Sequence, residues 1–218
     1  MTAERLLALA REQLGVREQP AGSNRVRYNT AYYGREVSGT GYPWCCTFLW
    51  WLFRQAGAEN LFYGGGRTAY CPALMSYHRK QAVSGDYRPG DVIFFNFYGG
   101  SGASHVGLCE AWDGEKITTI DGNTGTGDEA NGGAVLRRTR EKQYIVGAYR
   151  PAYEEEEEMT QLQFDNLMAD WLARQSERPE SPWGKMAEAK RAGITDGTRP
   201  QSFATREEVA TMIMSAHR

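Results

Sequence analysis

The chain of 218 residues has little that would carry it into or across a membrane. Residues 1–15 include Glu4, Arg5, Arg11 and Glu12, which interrupt the apolar run a secretory signal needs. No stretch approaches the roughly 20 apolar residues of a membrane span. The expectation is synthesis in a host cytoplasm without a signal peptide, and no membrane insertion. An excess of one charge sign is also missing. A net charge of −2 gives no reason to expect a nucleic-acid partner. Cysteine is scarce too, with Cys45, Cys46, Cys71 and Cys109. Two of these are adjacent and poorly placed to bond each other, so all four are expected as reduced thiols. Histidine is scarcer still, at three residues, which narrows any search for a general base.

What the chain does have is 41% hydrophobic and 12% aromatic residues, enough for one medium domain and a small one. Thr2 can cap a first helix carrying Leu6, Leu7, Ala10 and Leu14 on one face and stopping at Gly15. A polar loop is expected over 17–41. Pro43 can enter a helix over 44–56 that Gly57 ends, and Pro72 a third running to about residue 82. Short β-branched and aromatic runs then follow at 91–97, 105–112, 116–120, 134–140 and 144–149, separated by Gly, Asn and Asp. Helices first and a strand meander second predict an α+β domain, with N-terminal helices packed on an antiparallel sheet.

The chemistry centres on a thiol. A thiolate is the attacking form of cysteine, and a helix N-terminus favours it. Cys45 stands at the start of the second expected helix. Of the histidines, His217 is in the tail and His78 falls mid-helix beside Arg79 and Lys80, on what reads as a solvated face. His105 opens a strand behind a glycine-rich loop, where its ring can face a cleft and serve as base. A base is usually oriented by a third polar group. The segment Asp121-Gly122-Asn123 can supply one from the neighbouring strand.

At this point a family resemblance enters. Tyr-Pro-Trp-Cys-Cys-Thr-Phe-Leu-Trp-Trp (42–51) resembles the nucleophile helix of CHAP-domain peptidoglycan hydrolases, relatives of NlpC/P60 and papain-like peptidases. Pro-Gly-Asp-Val-Ile-Phe-Phe (89–95) resembles the strand before the family's histidine. Ser-His-Val-Gly-Leu-Cys (104–109) resembles the histidine strand, and Ile-Asp-Gly-Asn-Thr (120–124) the segment usually written Glu-Gly-Asn. The resemblance spans about residues 1–150 and implies a papain-like fold and cleavage of an amide bond in peptidoglycan. The bond is either the N-acetylmuramoyl-L-alanine amide or one in the stem or cross-bridge peptide. The family's Trp-Cys pattern points to Cys45 as nucleophile and leaves Cys46, about 100° further round the helix, for the core. His105 becomes the base, with Asp121 expected on the imidazole and Asn123 in the cleft. Asp121 stands where Glu is commoner, so the choice between Asp121 and Asn123 as orienter stays open. Tyr42 and Trp44 are expected to contact substrate, Cys109 to be core, and Cys71 is left between core and cleft. Some relatives bind calcium just before the nucleophile, but residues 34–44 contain only Glu36. No metal and no cofactor are expected.

Behind this domain, taken as 1–153, residues 154–158 are a run of five glutamates, expected as a solvated linker. Residues 159–218 carry helical spacing at Phe164, Leu167, Met168, Trp171 and Leu172, then at Trp183, Met186, Ala187 and Lys190 up to Gly193. Thr205 to Glu208 has the form of a capping box. Trp183, the segment 192–198 and the segment 203–208 resemble S-layer-homology wall-binding modules. The resemblance implies a small all-α unit that holds a cell-wall polymer. A capping or dimerising helical tail is the other reading. Catalytic domain in front and anchor behind is the layout of a phage or prophage endolysin, acting on the wall after release. A papain-like protease acting on proteins and a non-catalytic wall-binding protein are the rivals.

Overall fold

A computed structural model describes residues 1–154, 160–177 and 185–194, together with Val209, Ile213 and Met214. The chain divides into two compact units, Met1–Glu156 and Glu157–Arg218.

In the first unit α1 (Ala3–Arg11) begins where Thr2 accepts the Arg5 amide, and it buries Leu6, Leu7 and Ala10. It ends at Arg11 in a turn, short of Gly15. Helix α2 (Arg27–Tyr33) lies inside the stretch expected as loop. It has no side-chain cap, and it holds because Tyr28 and Asn29 are buried. Helix α3 (Cys45–Gln55) is nearly apolar all round and is the central helix. It packs against α1, α2, α4 (Glu59–Tyr63) and two strands. Helix α5 (Cys71–Tyr77) is shorter than expected, giving way to a single 3-10 turn at Arg79–Gln81.

The five strands β1 (Val92–Phe95), β2 (His105–Trp112), β3 (Lys116–Thr124), β4 (Ala134–Glu141) and β5 (Ile145–Tyr149) form one antiparallel sheet ordered β4-β3-β2-β1-β5. The first unit is therefore α+β, as its texture predicts. In β2 and β3, Val106, Leu108 and Ile120 join the main core with α3. Ile93, Phe95, Cys109, Ile117 and Ala148 build a smaller core of their own. Helix and sheet meet closely at Gly122, where a Cβ would lie 2.6 Å from the Cβ of Phe48. Only glycine lets α3 sit this close to β3.

The histidine expected on a solvated face is buried instead. His78 caps the end of α5, its Nε2 is 2.6 Å from the Phe62 carbonyl oxygen, and its Nδ1 is 2.6 Å from Gln81 Oε1. Its ring stacks on Tyr149, with centroids 3.6 Å apart. The helix stops one turn early, and this turns His78 inward to tie α4 to β5.

One ion pair ties the first helix to the sheet. Glu110 of β2 accepts from Arg11 Nε at 2.7 Å and from Arg137 Nη2 at 2.9 Å. Hydrogen bonding from Arg137 first, and from Arg11 after the opposing effect of burial, holds its carboxyl down at about 2 against an ordinary 4.5. A carboxyl depressed on folding stabilises above its unfolded value and loses that stabilisation as pH falls through the folded one. Both arginine side chains are 38–49% exposed, so solvent screening leaves about 1 kcal/mol at neutral pH. The expected result is that Glu110→Gln lowers unfolding free energy by that amount at pH 7. In urea titrations the gap to wild type should close as pH falls from 4.5 toward 2.

In the second unit α6 (Gln161–Ser176) starts from a full capping box. Thr160 Oγ1 accepts the Gln163 amide at 3.2 Å, and Gln163 Oε1 accepts the Thr160 amide at 2.7 Å. The apolar residues from Phe164 to Leu172 all fall on this helix. Helix α7 (Met186–Arg191) follows, and the chain turns at Gly193. The expectations for Trp183, for most of 192–208 and for the tail histidine lie outside the described residues. Among the described residues no helix is long and apolar enough to cross a membrane.

Candidate active site

Cys45 occupies the first position of α3, with Trp44 as the preceding cap residue. The chain reaches that point under control of Asn29. Its Nδ2 donates to the carbonyls of Asn24 and Tyr42, each at 2.9 Å, and its Oδ1 accepts from Thr47 Oγ1 at 2.8 Å. One buried amide thus pins both the entry loop and the first turn of α3. The first amide N–H groups of any α-helix have no intrahelical acceptor and carry partial positive charge, which favours a thiolate or an oxyanion.

His105 opens β2, opposite Phe95 of β1. The rings of Phe95 and Phe97 lie 6.4 and 6.0 Å from the imidazole. Its Nε2 donates to Asp121 Oδ2 at 3.1 Å, and both side chains are fully enclosed. Nδ1 has no hydrogen-bond partner. The thiol of Cys45 and this imidazole are near enough to shift each other. Cys45 is held well below the ordinary cysteine range. Hydrogen bonding with Cys46 and Cys71 lowers it most, burial opposes this, and His105 lowers it further. Burial pulls His105 down, but the bond to Asp121 and the facing thiol outweigh that and push it up to about 9. Both shifts favour the thiolate form of Cys45 and the protonated form of His105.

Asp121 takes a second partner that sequence reasoning missed. Arg140 of β4 brings Nη1 to 2.7 Å from Asp121 Oδ2 and Nε to 2.8 Å from Glu129 Oε2. Its guanidinium lies over Phe95 and Phe97, 4.8 and 5.2 Å from the ring centroids. Burial tends to raise Asp121, and Arg140 then His105 reverse this, leaving the carboxyl below its ordinary range. Its approach depends on Gly107, where a Cβ would lie 2.0 Å from Asp121 Oδ1. The only sequence signal for Arg140 was strand alternation within Arg137-Arg138-Thr139-Arg140, which looks like a solvated basic run.

The remaining expected positions fall as follows. Asn123 is buried near the end of β3, two residues after Asp121, with φ +58°, and its Nδ2 donates to Asn131 Oδ1 at 3.1 Å. It makes no bond to the imidazole. Tyr42 is half-buried, edge-on to Tyr33. Trp44, expected at the substrate, lies in the core. It is wholly enclosed and stacks on Tyr28 at 5.6 Å, a core position set by its place under the first turn of α3. Cys109 is buried and pushed up to about 12 by that burial. Cys46 is buried as expected but touches Cys71, which lies against Cys45 as well.

A thiol at a helix start, an imidazole beside it and a carboxylate behind the imidazole are the parts of a cysteine hydrolase site. Residues 37–123 match the CHAP domain family model, a span that holds Cys45, His105, Asp121 and Asn123. This match supports a CHAP-type hydrolase acting on peptidoglycan in general. No curated protein matches the chain. Among solved structures it is similar to one described as the crystal structure of Ly7917, at 18% identity and a TM-score of 0.44, over 69% of this chain and 62% of that one. The chain thus spans less than two thirds of that structure's length.

Proposed function

We propose that the protein cleaves an amide bond of peptidoglycan by Cys45–His105 covalent catalysis. The bond is the N-acetylmuramoyl-L-alanine amide or a peptide bond of the stem or cross-bridge. The observation that carries this reading is the pairing of Cys45, at the α3 start, with an imidazole whose far nitrogen is held by Asp121. In the first half-reaction the Cys45 thiolate attacks the carbonyl carbon, and the oxyanion forms beside the first amides of α3. The His105 imidazolium then gives its proton to the departing amine as the C–N bond breaks, leaving a thioester. In the second half-reaction neutral His105 takes a proton from water, hydroxide adds to the thioester, and Cys45 leaves as thiolate. The carboxylate of Asp121 holds the ring and stabilises its charged form throughout.

As an endolysin the chain would be made in a host cytoplasm and meet the wall on release, with the second unit as its hold on a wall polymer. A pairing of two chains through that unit is the competing role. Purified peptidoglycan incubated with the full chain should lose turbidity and gain new amino termini. Labelling those termini identifies the bond, because amidase cleavage exposes L-alanine. Casein should stay intact. Digestion of casein with the wall untouched would make it a protease of proteins, and wall binding without new amino termini would make it a binding protein.

A further inference from the structure

Hydrolysis uses one thiol, yet three meet at the foot of α3. Cys45 and Cys46 are consecutive in its first turn, and Cys71 opens α5. The sulfurs of Cys46 and Cys71 are 3.2 Å apart, those of Cys45 and Cys71 are 3.5 Å apart, and all three lie within 4.8 Å of one another. All three residues are buried, with at most 6% exposure, and none is in a disulfide. It is the only grouping among the described residues with the composition and spacing of a metal site. The expectation of no metal rested on missing carboxylates, and this cluster has sulfur donors instead.

Zinc binds thiolate at about 2.3 Å in a tetrahedron, which places neighbouring sulfurs about 3.8 Å apart. The Cys46–Cys71 and Cys45–Cys71 separations of 3.2 and 3.5 Å are about 0.6 and 0.3 Å short of that value, and the third pair lies within 4.8 Å. Sulfur ligands select thiophilic ions over calcium or magnesium. Three thiolates around a divalent cation leave one net negative charge, and the N-terminus of α3 lies next to it to offset that charge. We propose that Cys45, Cys46 and Cys71 form a three-thiolate site for a thiophilic d10 cation, with Zn²⁺ as the probe, and that occupancy takes Cys45 out of catalysis. The thiol protons leave to solvent as the ion binds. The fourth position goes to water or to Nδ1 of His105, whose proton then also leaves to solvent. Binding is independent of the functional reading, whereas inhibition rests on Cys45 as the nucleophile.

The test uses the full chain, reduced and kept anaerobic. Cd²⁺ titration should raise a near-ultraviolet sulfur-to-metal charge-transfer band that saturates at one ion per chain with the intensity of three thiolates. A chelating dye competing for Zn²⁺ gives the affinity. Cys46→Ser and Cys71→Ser should each weaken Zn²⁺ binding by more than about 100-fold, beyond what loss of an outer-shell partner costs. One equivalent of Zn²⁺ should halt wall hydrolysis by wild type, and a chelator should restore it. For each variant, the zinc concentration that halves its own zinc-free rate should rise in step with its loss of affinity. Absence of the band, or unchanged Zn²⁺ affinity in Cys71→Ser, would overturn the site and leave zinc, if bound, on Cys45 and His105 alone. Should Cys46→Ser fold poorly, the wild-type band and Cys71→Ser still decide. A three-thiolate spectrum in a chain that never attacks peptidoglycan would keep the site and sink the functional reading. Hydrolysis without the band would do the reverse, and hydrolysis untouched by zinc in a chain that shows the band would take Cys45 out of the nucleophile's role.

Discussion

Cys45→Ser is expected to lower peptidoglycan turnover by a factor of about 10³ or more, the scale on which losing a covalent nucleophile acts. Cys46→Ala should keep turnover within about tenfold and cost stability on the order of 1 kcal/mol instead. The two residues are neighbours with the same side chain, so the contrast isolates position. Cys45 stands beside His105 and is driven toward thiolate by donors around it, whereas Cys46 is pushed well above the ordinary range by its bond to Cys45. A serine hydroxyl at position 45 does not ionise under the same influences, so its attack is lost although its volume is nearly kept. Initial rates on purified wall, with unfolding measured on the same preparations, check both halves. Wild-type-like turnover in Cys45→Ser, or a dead but fully folded Cys46→Ala, would move the nucleophile to the second thiol.

Much of the first unit was legible because its signals are local. Thr2 caps α1, a proline precedes α3, and the strand runs of 105–112 and 134–140 carry their own β-branched texture. His105 and Asp121 could be paired because β2 and β3 are adjacent in sequence. Features set by long-range packing were not legible. Helix α2 has no cap and exists because Tyr28 and Asn29 find partners on α3 and the entry loop. Arg140 looks like its exposed neighbours until the β3–β4 register turns it inward. Cys71 joins Cys45 and Cys46 from 25 residues away, which no spacing rule anticipates. His78 was misjudged because flanking Arg79 and Lys80 suggested an exposed helix face, when the helix had already ended.

Arg140 is the residue whose loss should show most clearly that the site works as an electrostatic relay. Arg140→Met is expected to lower kcat/KM by about 10²-fold, the order a misoriented or wrongly charged base costs. The buried Asp121 carboxylate keeps its charge because Arg140 lies 2.7 Å away. Without that cation, burial raises Asp121 and favours its neutral form. A neutral Asp121 no longer supports the imidazolium, so His105 falls from about 9, and the thiolate–imidazolium pair loses its protonated general acid at lower pH. The high-pH limb of the kcat/KM profile, near 9 in wild type, should therefore move down in Arg140→Met and further in Asp121→Asn. Alkylation of Cys45 by iodoacetamide reads the thiolate itself, so its onset on the acid side should move to higher pH in the same variants, because a less charged His105 lowers the thiol less. Arg140→Lys keeps the charge without the planar fork, so it should recover part of the rate and most of the limb. Stability carries the same sign. Asp121 sits below its ordinary 3.8, so its contribution to folding is present above that value and fades as acid protonates it. A purely structural Arg140 would lower activity evenly at all pH and leave the limb in place, and that outcome would remove it from the relay.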